Sequence, residues 1–113
     1  MTLDIQERYH YSRQIGTLGE EGQERLKSAR ILIAGLGGLG SILATYLAAS
    51  GVGFLRVADN DSIDETNLHR QFLFRLEDIG RDKASAAADK ITAKFPSCRV
   101  EAACTVVASN RTE

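Results

Sequence analysis

The sequence predicts an α/β protein: a Rossmann-like parallel sheet of about three strands, half of a doubly wound sheet, preceded by two short N-terminal helices. Three observations lead there. Ile31-Leu32-Ile33-Ala34 is an unbroken apolar run, a glycine-rich hexapeptide follows it at once, and the alternation of a short apolar run with helical periodicity then repeats. Right-handed crossovers are expected to join the strands.

Residues 3–28 set charged and apolar residues at helical spacing, and Gly16, Gly19 and Gly22 divide the stretch into two helices. The run 31–34, between Arg30 and Gly35, reads as a strand buried on both faces of a parallel sheet. A helix should follow, because Leu39, Ile42, Leu43, Tyr46 and Leu47 fall on one apolar face and Gly51 is placed to end it. Phe54-Leu55-Arg56-Val57-Ala58 is a second strand, made less apolar by Arg56, and it runs into Asp59-Asn60-Asp61. After an irregular stretch, Ala84, Ala87, Ala88, Ile91 and Phe95 make a second helical face, closed by Pro96. Residues 99–107 read as the third strand. The chain thus divides into a helical segment, 1–28, and a Rossmann-like half-domain, 29–113. A half-sheet leaves an apolar strand edge uncovered, so we expect 29–113 to be the front part of a longer chain.

Of the 113 residues 43 % are apolar, yet no run is long enough to cross a membrane and no basic-then-apolar leader follows Met1, so a cytoplasmic protein is expected. With 14 Lys and Arg against 15 Asp and Glu, the charge of −1 lacks the positive excess that neutralises nucleic-acid phosphates. Cys98 and Cys104 fit neither a CxxC unit nor zinc-finger spacing, so both are expected as buried reduced thiols and no metal ligand is assigned in this chain.

Gly35-Leu36-Gly37-Gly38-Leu39-Gly40 fits G-x-G-x-x-G between a strand and a helix, the context that gives the pattern meaning. Bare backbone at Gly37 and Gly38 lets a phosphate approach, the free N–H groups at the helix start meet its charge, and Gly40 lets the helix pack on the strand. Asp59 lies at the end of the second strand, where a carboxylate accepts hydrogen bonds from ribose hydroxyls. An adenine nucleotide is therefore expected, and the fingerprint alone leaves NAD and ATP both open. The polar stretch 64–72 (DETNLHRQF) bears on that choice. A hydride-transferring enzyme has little use for it, whereas Arg70 and Lys83 can offset the charge of a triphosphate and its leaving pyrophosphate, with Asn67 and Gln71 adding directional hydrogen bonds.

Arg8-Tyr9, Tyr11-Ser12-Arg13-Gln14-Ile15, Gly22-Gln23 with Leu26, the loop 35–40, Gly51-Val52-Gly53, Asp59-Asn60-Asp61, Asn67-Leu68-His69-Arg70-Gln71 and Ile79-Gly80-Arg81-Asp82-Lys83 occur in one order. In that order the chain resembles the ThiF/MoeB/HesA family, the bacterial relatives of ubiquitin-activating enzymes. The resemblance implies an adenylyltransferase that activates the C-terminal glycine carboxylate of a ubiquitin-fold sulfur-carrier protein ending in Gly-Gly, serving thiamin, molybdopterin or related cofactor synthesis. It assigns Gly35, Gly37, Gly38, Gly40, Asp59, Asp61, Asn67, Arg70, Gln71 and Lys83 to ATP, with Arg70 and Lys83 catalytic. It also implies a homodimer, because Arg13 matches an arginine that reaches into the partner subunit's ATP site. His69 falls at a variable position of its motif and reads as a surface histidine, and Lys90 and Lys94 read as a solvated helix face.

Members of the family are roughly twice this length or more. The resemblance implies that the aspartate holding Mg2+ and the triphosphate, the CxxC pairs for structural zinc and the partner-docking surface come later than these 113 residues, so that this chain alone is inactive. Cys98 and Cys104 match none of the family's cysteines. Two alternatives stay open: a NAD-dependent oxidoreductase fragment, which Arg13, Arg70 and Lys83 disfavour, and a non-catalytic dimerising module of the same family.

Overall fold

The computed structural model describes residues 2–69 and 71–105. The first helix, α1 (Ile5–His10), starts where Asp4 and Glu7 cap each other: the Asp4 carboxylate accepts the Glu7 N–H at 2.8 Å and the Glu7 carboxylate accepts the Asp4 N–H at 2.9 Å. Helix α2 (Ser12–Ser28) follows after Tyr11 and bends at Gly19, the one residue within it outside helical geometry (φ 79°). The helical segment breaks at Tyr11 and again at Gly19, one of the three expected glycines, while Gly16 and Gly22 stay helical.

Strand β1 (Arg30–Ala34), helix α3 (Gly38–Ala49), strand β2 (Phe54–Ala58), helix α4 (Lys83–Lys94) and strand β3 (Arg99–Ala103) complete the element order. The strands lie parallel in the order β1-β2-β3, with Ile33 opposite Val57 and Val57 opposite Ala102. Both connecting helices, α3 and α4, pack on one face of the sheet. There Ile33, Leu55 and Val57 pack with Ala44 and Ala48 of α3 and Ala84, Ala87 and Ile91 of α4, all nearly inaccessible to water. The fold is the Rossmann-like half-sheet that the apolar runs predicted.

The opposite face corrects one expectation. Strand β1 is not buried on both sides, since Arg30 and Leu32 are exposed; Phe54, in the adjacent strand, is shielded by the Arg30 guanidinium stacked 4.2 Å from its ring centroid. Arg56 lies on this face and is held by Glu101, which explains why β2 reads as less apolar. Helix α3 corrects a second. Its core-facing residues are Ser41, Ala44 and Ala48, while Leu39, Ile42, Leu43 and Tyr46 point to water, Leu39 being 81 % and Tyr46 69 % exposed. Small residues let the helix sit close to the sheet, so the large apolar stripe turns outward.

Gly51 follows the end of α3 at φ 106°, and a Cβ there would come within 2.3 Å of the Gln23 amide nitrogen. That amide and the Gln14 amide both donate to the Ser50 carbonyl, at 2.9 and 2.6 Å, which ties α2 to the end of α3. Beyond β2 the chain runs through 3-10 turns at Glu65–Asn67 and Leu76–Asp78 before α4. Cys98 is buried, as expected, but Cys104 is exposed just past β3, with its sulfur 3.3 Å from the Ser85 hydroxyl. Residues 106–113, which include the end of the expected third strand, lie outside the described residues.

Lys90 also departs from expectation. It is mostly buried and pairs with Asp78 at 2.8 Å, while Arg81 approaches the same carboxylate at 3.4 Å. Burial alone would raise the Asp78 pKa, but the hydrogen bonds from Lys90 and the Arg75 N–H, the Lys90 charge and the Arg81 contact outweigh it and hold the carboxyl below its ordinary range. A lowered folded-state pKa contributes stability that is fully present above the unfolded value and is lost as the pH falls through the folded one. We expect Asp78→Asn to cost about 2–3 kcal/mol at pH 7, and urea titrations should show that difference shrinking as the pH drops below about 4.

Candidate functional site

The carboxyl ends of parallel strands are where α/β sheets bind ligands, and the candidate residues collect there. Strand β1 ends at Ala34 and turns at Gly35 (φ 93°), whose N–H donates to the Ala58 carbonyl at 2.8 Å. The Leu36 side chain is fully buried and pins the loop to the core. Gly37 caps α3 without a side chain, and a Cβ placed on it would meet nothing within 4 Å, so the loop faces open space at that point. Ser41 makes the first helical bond, to the Gly37 carbonyl at 3.0 Å, which leaves the N–H groups of Gly38, Leu39 and Gly40 at the exposed positive end of the helix. Gly40 is required for close approach: a Cβ there would lie 2.0 Å from the Gly35 carbonyl oxygen.

Asp59 binds the loop from the neighbouring strand. Its carboxylate accepts the Leu36 N–H at 2.7 Å and the Asp61 N–H at 2.8 Å, so one side chain fixes both the glycine turn and the exit of β2. Each oxygen keeps a lone pair for a further donor. The Asp61 carbonyl accepts the Lys83 N–H at 3.0 Å, and Ser62 bridges to Asp82, so the start of α4 is stitched beside the end of β2.

Lys83 is thereby held at the first position of α4 with only 6 % of its surface exposed, and among the described residues it has no carboxylate within 4.0 Å. Its charge still reaches Asp64. The Thr66 N–H and hydroxyl donate to the Asp64 carboxylate, Lys83 adds to their effect, and the carboxyl is held below its ordinary range. Asp64 was not singled out from the sequence, although Asp-x-Thr at the start of a turn is a signal for such a cap. Asn67 returns the interaction by accepting the Asp64 N–H at 3.0 Å, and the Gln71 N–H donates to the Asn67 carbonyl at 2.9 Å. Gln71 is 1 % exposed, and among the described residues its Oε1 has no hydrogen-bond partner.

The glycine loop, Asp59, Asp61 and Lys83 are thus joined by direct hydrogen bonds, and Asn67 and Gln71 are linked to them through Asp64. Arg70 lies outside the described residues. Arg13 is not brought to this site. It sits exposed in the first turn of α2, lining a cleft with Ala49 at the far end of α3, about 18 Å along the helix from the glycine loop. His69 is exposed, as expected. A groove of about 760 Å³ between α3 and α4, bordered by Ile42, Tyr46, Phe72 and Lys94, contains none of the candidate residues. Among the described residues no helix is long and apolar enough to cross a membrane, and no group of three His, Cys, Asp or Glu residues could hold a metal ion.

Fold and loop together define a Rossmann-like half-sheet with free N–H groups at a glycine-rich helix start and an acid at the next strand end. The chain belongs to the ThiF family, whose profile matches residues 11–113. It is 48 % identical over 100 residues to a probable adenylyltransferase/sulfurtransferase MoeZ of Mycobacterium tuberculosis, covering 87 % of this chain and 26 % of that protein. It is 45 % identical over 101 residues to a sulfur carrier protein adenylyltransferase of Thermus thermophilus, covering 89 % and 37 %. Among solved structures, PaaA superposes with a TM-score of 0.87 at 35 % identity, covering 95 % of this chain and 36 % of PaaA. MccB of E. coli, solved with ATP, gives 0.79 at 32 % identity, covering 85 % and 31 %. The chain therefore spans about a quarter to just over a third of the length of these proteins.

Proposed function

We propose that the chain is the ATP-binding portion of an adenylyltransferase that activates the C-terminal glycine carboxylate of a ubiquitin-fold sulfur-carrier protein. The observation that carries this reading is Lys83: a buried lysine with no carboxylate partner among the described residues, at the same end of the sheet as a helix start that presents free N–H groups, is an arrangement that an anionic ligand completes. A nicotinamide dinucleotide would use the loop and Asp59 but give Lys83 nothing to neutralise. The sulfur-carrier adenylyltransferase among the relatives and the ATP held by MccB point the same way.

In this reading the loop 35–40 receives phosphate oxygens on its N–H groups, Asp59 accepts from the ribose hydroxyls, and Asp61 positions Lys83 through its carbonyl. A carboxylate oxygen of the terminal glycine attacks the α-phosphorus. The bond from the α-phosphorus to the bridging oxygen breaks, and pyrophosphate leaves an acyl-adenylate behind. Lys83 and Arg70 stabilise the charge that gathers on the phosphoryl oxygens, with Asn67 and Gln71 lining the same pocket. Magnesium, when bound with ATP, would offset triphosphate charge. The described residues offer it no direct ligand set. Nothing among the described residues suits structural zinc.

Arg13 lies too far from the glycine loop of its own chain, and the outward stripe of α3 supports a homodimer that resolves the distance. If two copies pair this stripe antiparallel about a two-fold axis, the Arg13 end of one α3 meets the glycine-loop end of the other. Leu43→Glu is then expected to give a monomer by light scattering. In the full-length protein, Arg13→Ala and Lys83→Met variants, each inactive in pyrophosphate exchange, should regain on mixing up to about a quarter of the wild-type rate, the share of intact sites after random subunit exchange. Mixtures that stay inactive, with subunit exchange verified, would place Arg13 outside the reaction.

A further inference from the structure

We infer that Gln14 is a positioning residue for Arg13: together with Gln23 it clamps the front of α2 across the bend at Gly19, so that Arg13 is presented to the partner subunit in one direction. This rests on the dimer reading above. Gly19, at φ 79° and ψ 161°, divides α2 into a front segment that carries Arg13 and Gln14 and a rear segment that carries Gln23. A non-helical residue between two helical segments is where their angle can change, unless something else joins them.

A single backbone oxygen joins them. The Ser50 carbonyl, at the end of α3, accepts the Gln14 amide at 2.6 Å and the Gln23 amide at 2.9 Å, and the Gln14 amide also donates to the Gln23 amide oxygen at 2.5 Å. Gln23 is fully buried and Gln14 partly so, which shields these bonds from competing water. The two amides thus come from opposite sides of the bend and close on one acceptor. Arg13 has no anchor of that kind. It is exposed, and among the described residues it makes no ion pair with a carboxylate. Its direction is therefore set by the backbone of the front segment, which Gln14 holds one residue further on. For a group that must reach reacting phosphate in another subunit, a displacement of about 1 Å costs on the order of 10²-fold in rate. The Arg8–Glu20 pair also spans the bend, but both side chains are half exposed and such pairs hold little.

The test uses pyrophosphate exchange by the full-length protein. Gln14→Met keeps the side-chain length and removes both N–H donors. It should lower the exchange rate by about 10–100-fold, while ATP affinity falls no further than in Arg13→Ala and the melting midpoint drops by no more than about 5 °C. Mixing separates positioning from folding. With Lys83→Met, the Gln14→Met protein should recover towards the same quarter of the wild-type rate as Arg13→Ala does; with Arg13→Ala it should recover nothing, because both variants lack the same contribution. Glu20→Gln, which removes the other link across the bend, should keep the rate within about twofold. The inference is overturned if Gln14→Met exchanges at the wild-type rate, if it complements Arg13→Ala, if Glu20→Gln slows the reaction as much, or if a larger fall in melting midpoint accompanies the lost rate, which would mark a structural amide. Failure of Arg13→Ala and Lys83→Met to complement each other would instead remove the dimer reading, and this inference with it.

Discussion

Lys83→Met is expected to weaken ATP binding by about 10–100-fold and, in the full-length protein, to lower pyrophosphate exchange by about 10²–10³-fold, the usual loss when one preorganised donor to developing charge is removed. Methionine retains the buried stem, so the loss isolates the ammonium. Because Lys83 makes no ion pair with a carboxylate among the described residues, its removal breaks no such pair there. Its melting temperature should therefore stay near that of the wild type. A protein that melts normally and still exchanges pyrophosphate at the wild-type rate would remove Lys83 from the chemistry, and with it the observation on which the functional reading leans most.

Gly40→Ala should have the largest effect on stability. The added methyl would lie 2.0 Å from the Gly35 carbonyl oxygen, and neither the strand end nor the helix start can give way without loss, since Leu36 is buried between them and Asp59 holds the loop. We expect a cost of about 3–5 kcal/mol, or a fall in melting temperature on the order of 15 °C or more. Gly37→Ala is the informative contrast. Its methyl meets nothing within 4 Å, so the fold should tolerate it while the phosphate approach is obstructed. Equal melting temperatures for the two variants would contradict this account of the loop.

These two glycines also mark how far the sequence could be read. Spacing alone locates a tight turn between strand and helix, because the demand for bare backbone is local and each glycine answers it at its own position. The orientation of α3 is a different matter. Periodicity identifies one apolar face, but the stripe Leu39, Ile42, Leu43 and Tyr46 is turned to water, and the core takes Ser41, Ala44 and Ala48. Hydrophobic size alone is misleading there, since close helix–sheet packing selects small residues. Lys90 shows the limit in another form: its partner Asp78 belongs to a separate turn, and no helical spacing links them. Arg56 was the visible sign that one sheet face is not apolar, though the guanidinium stacked on Phe54 follows only from the strand register.

The placement of the candidate residues was legible where a motif specifies backbone geometry, as for the glycine loop and Asp59. It was illegible where the relevant fact is a missing partner, as for Gln71, because a sequence records side chains and not whether their hydrogen bonds are made. Arg13 lies between the two. The resemblance singled it out, and its separation from the glycine loop of its own chain gives a physical reason to look for a second copy.

The most direct test of the central claim is a pair of calorimetric titrations of the purified protein, one with ATP and Mg2+ and one with NADH. The account predicts that ATP binds at one site per chain, that Lys83→Met weakens it, and that NADH gives no saturable heat. Saturable binding of NADH with none of ATP would contradict it, leaving a dinucleotide-binding half-sheet in which Lys83 has no anion to meet.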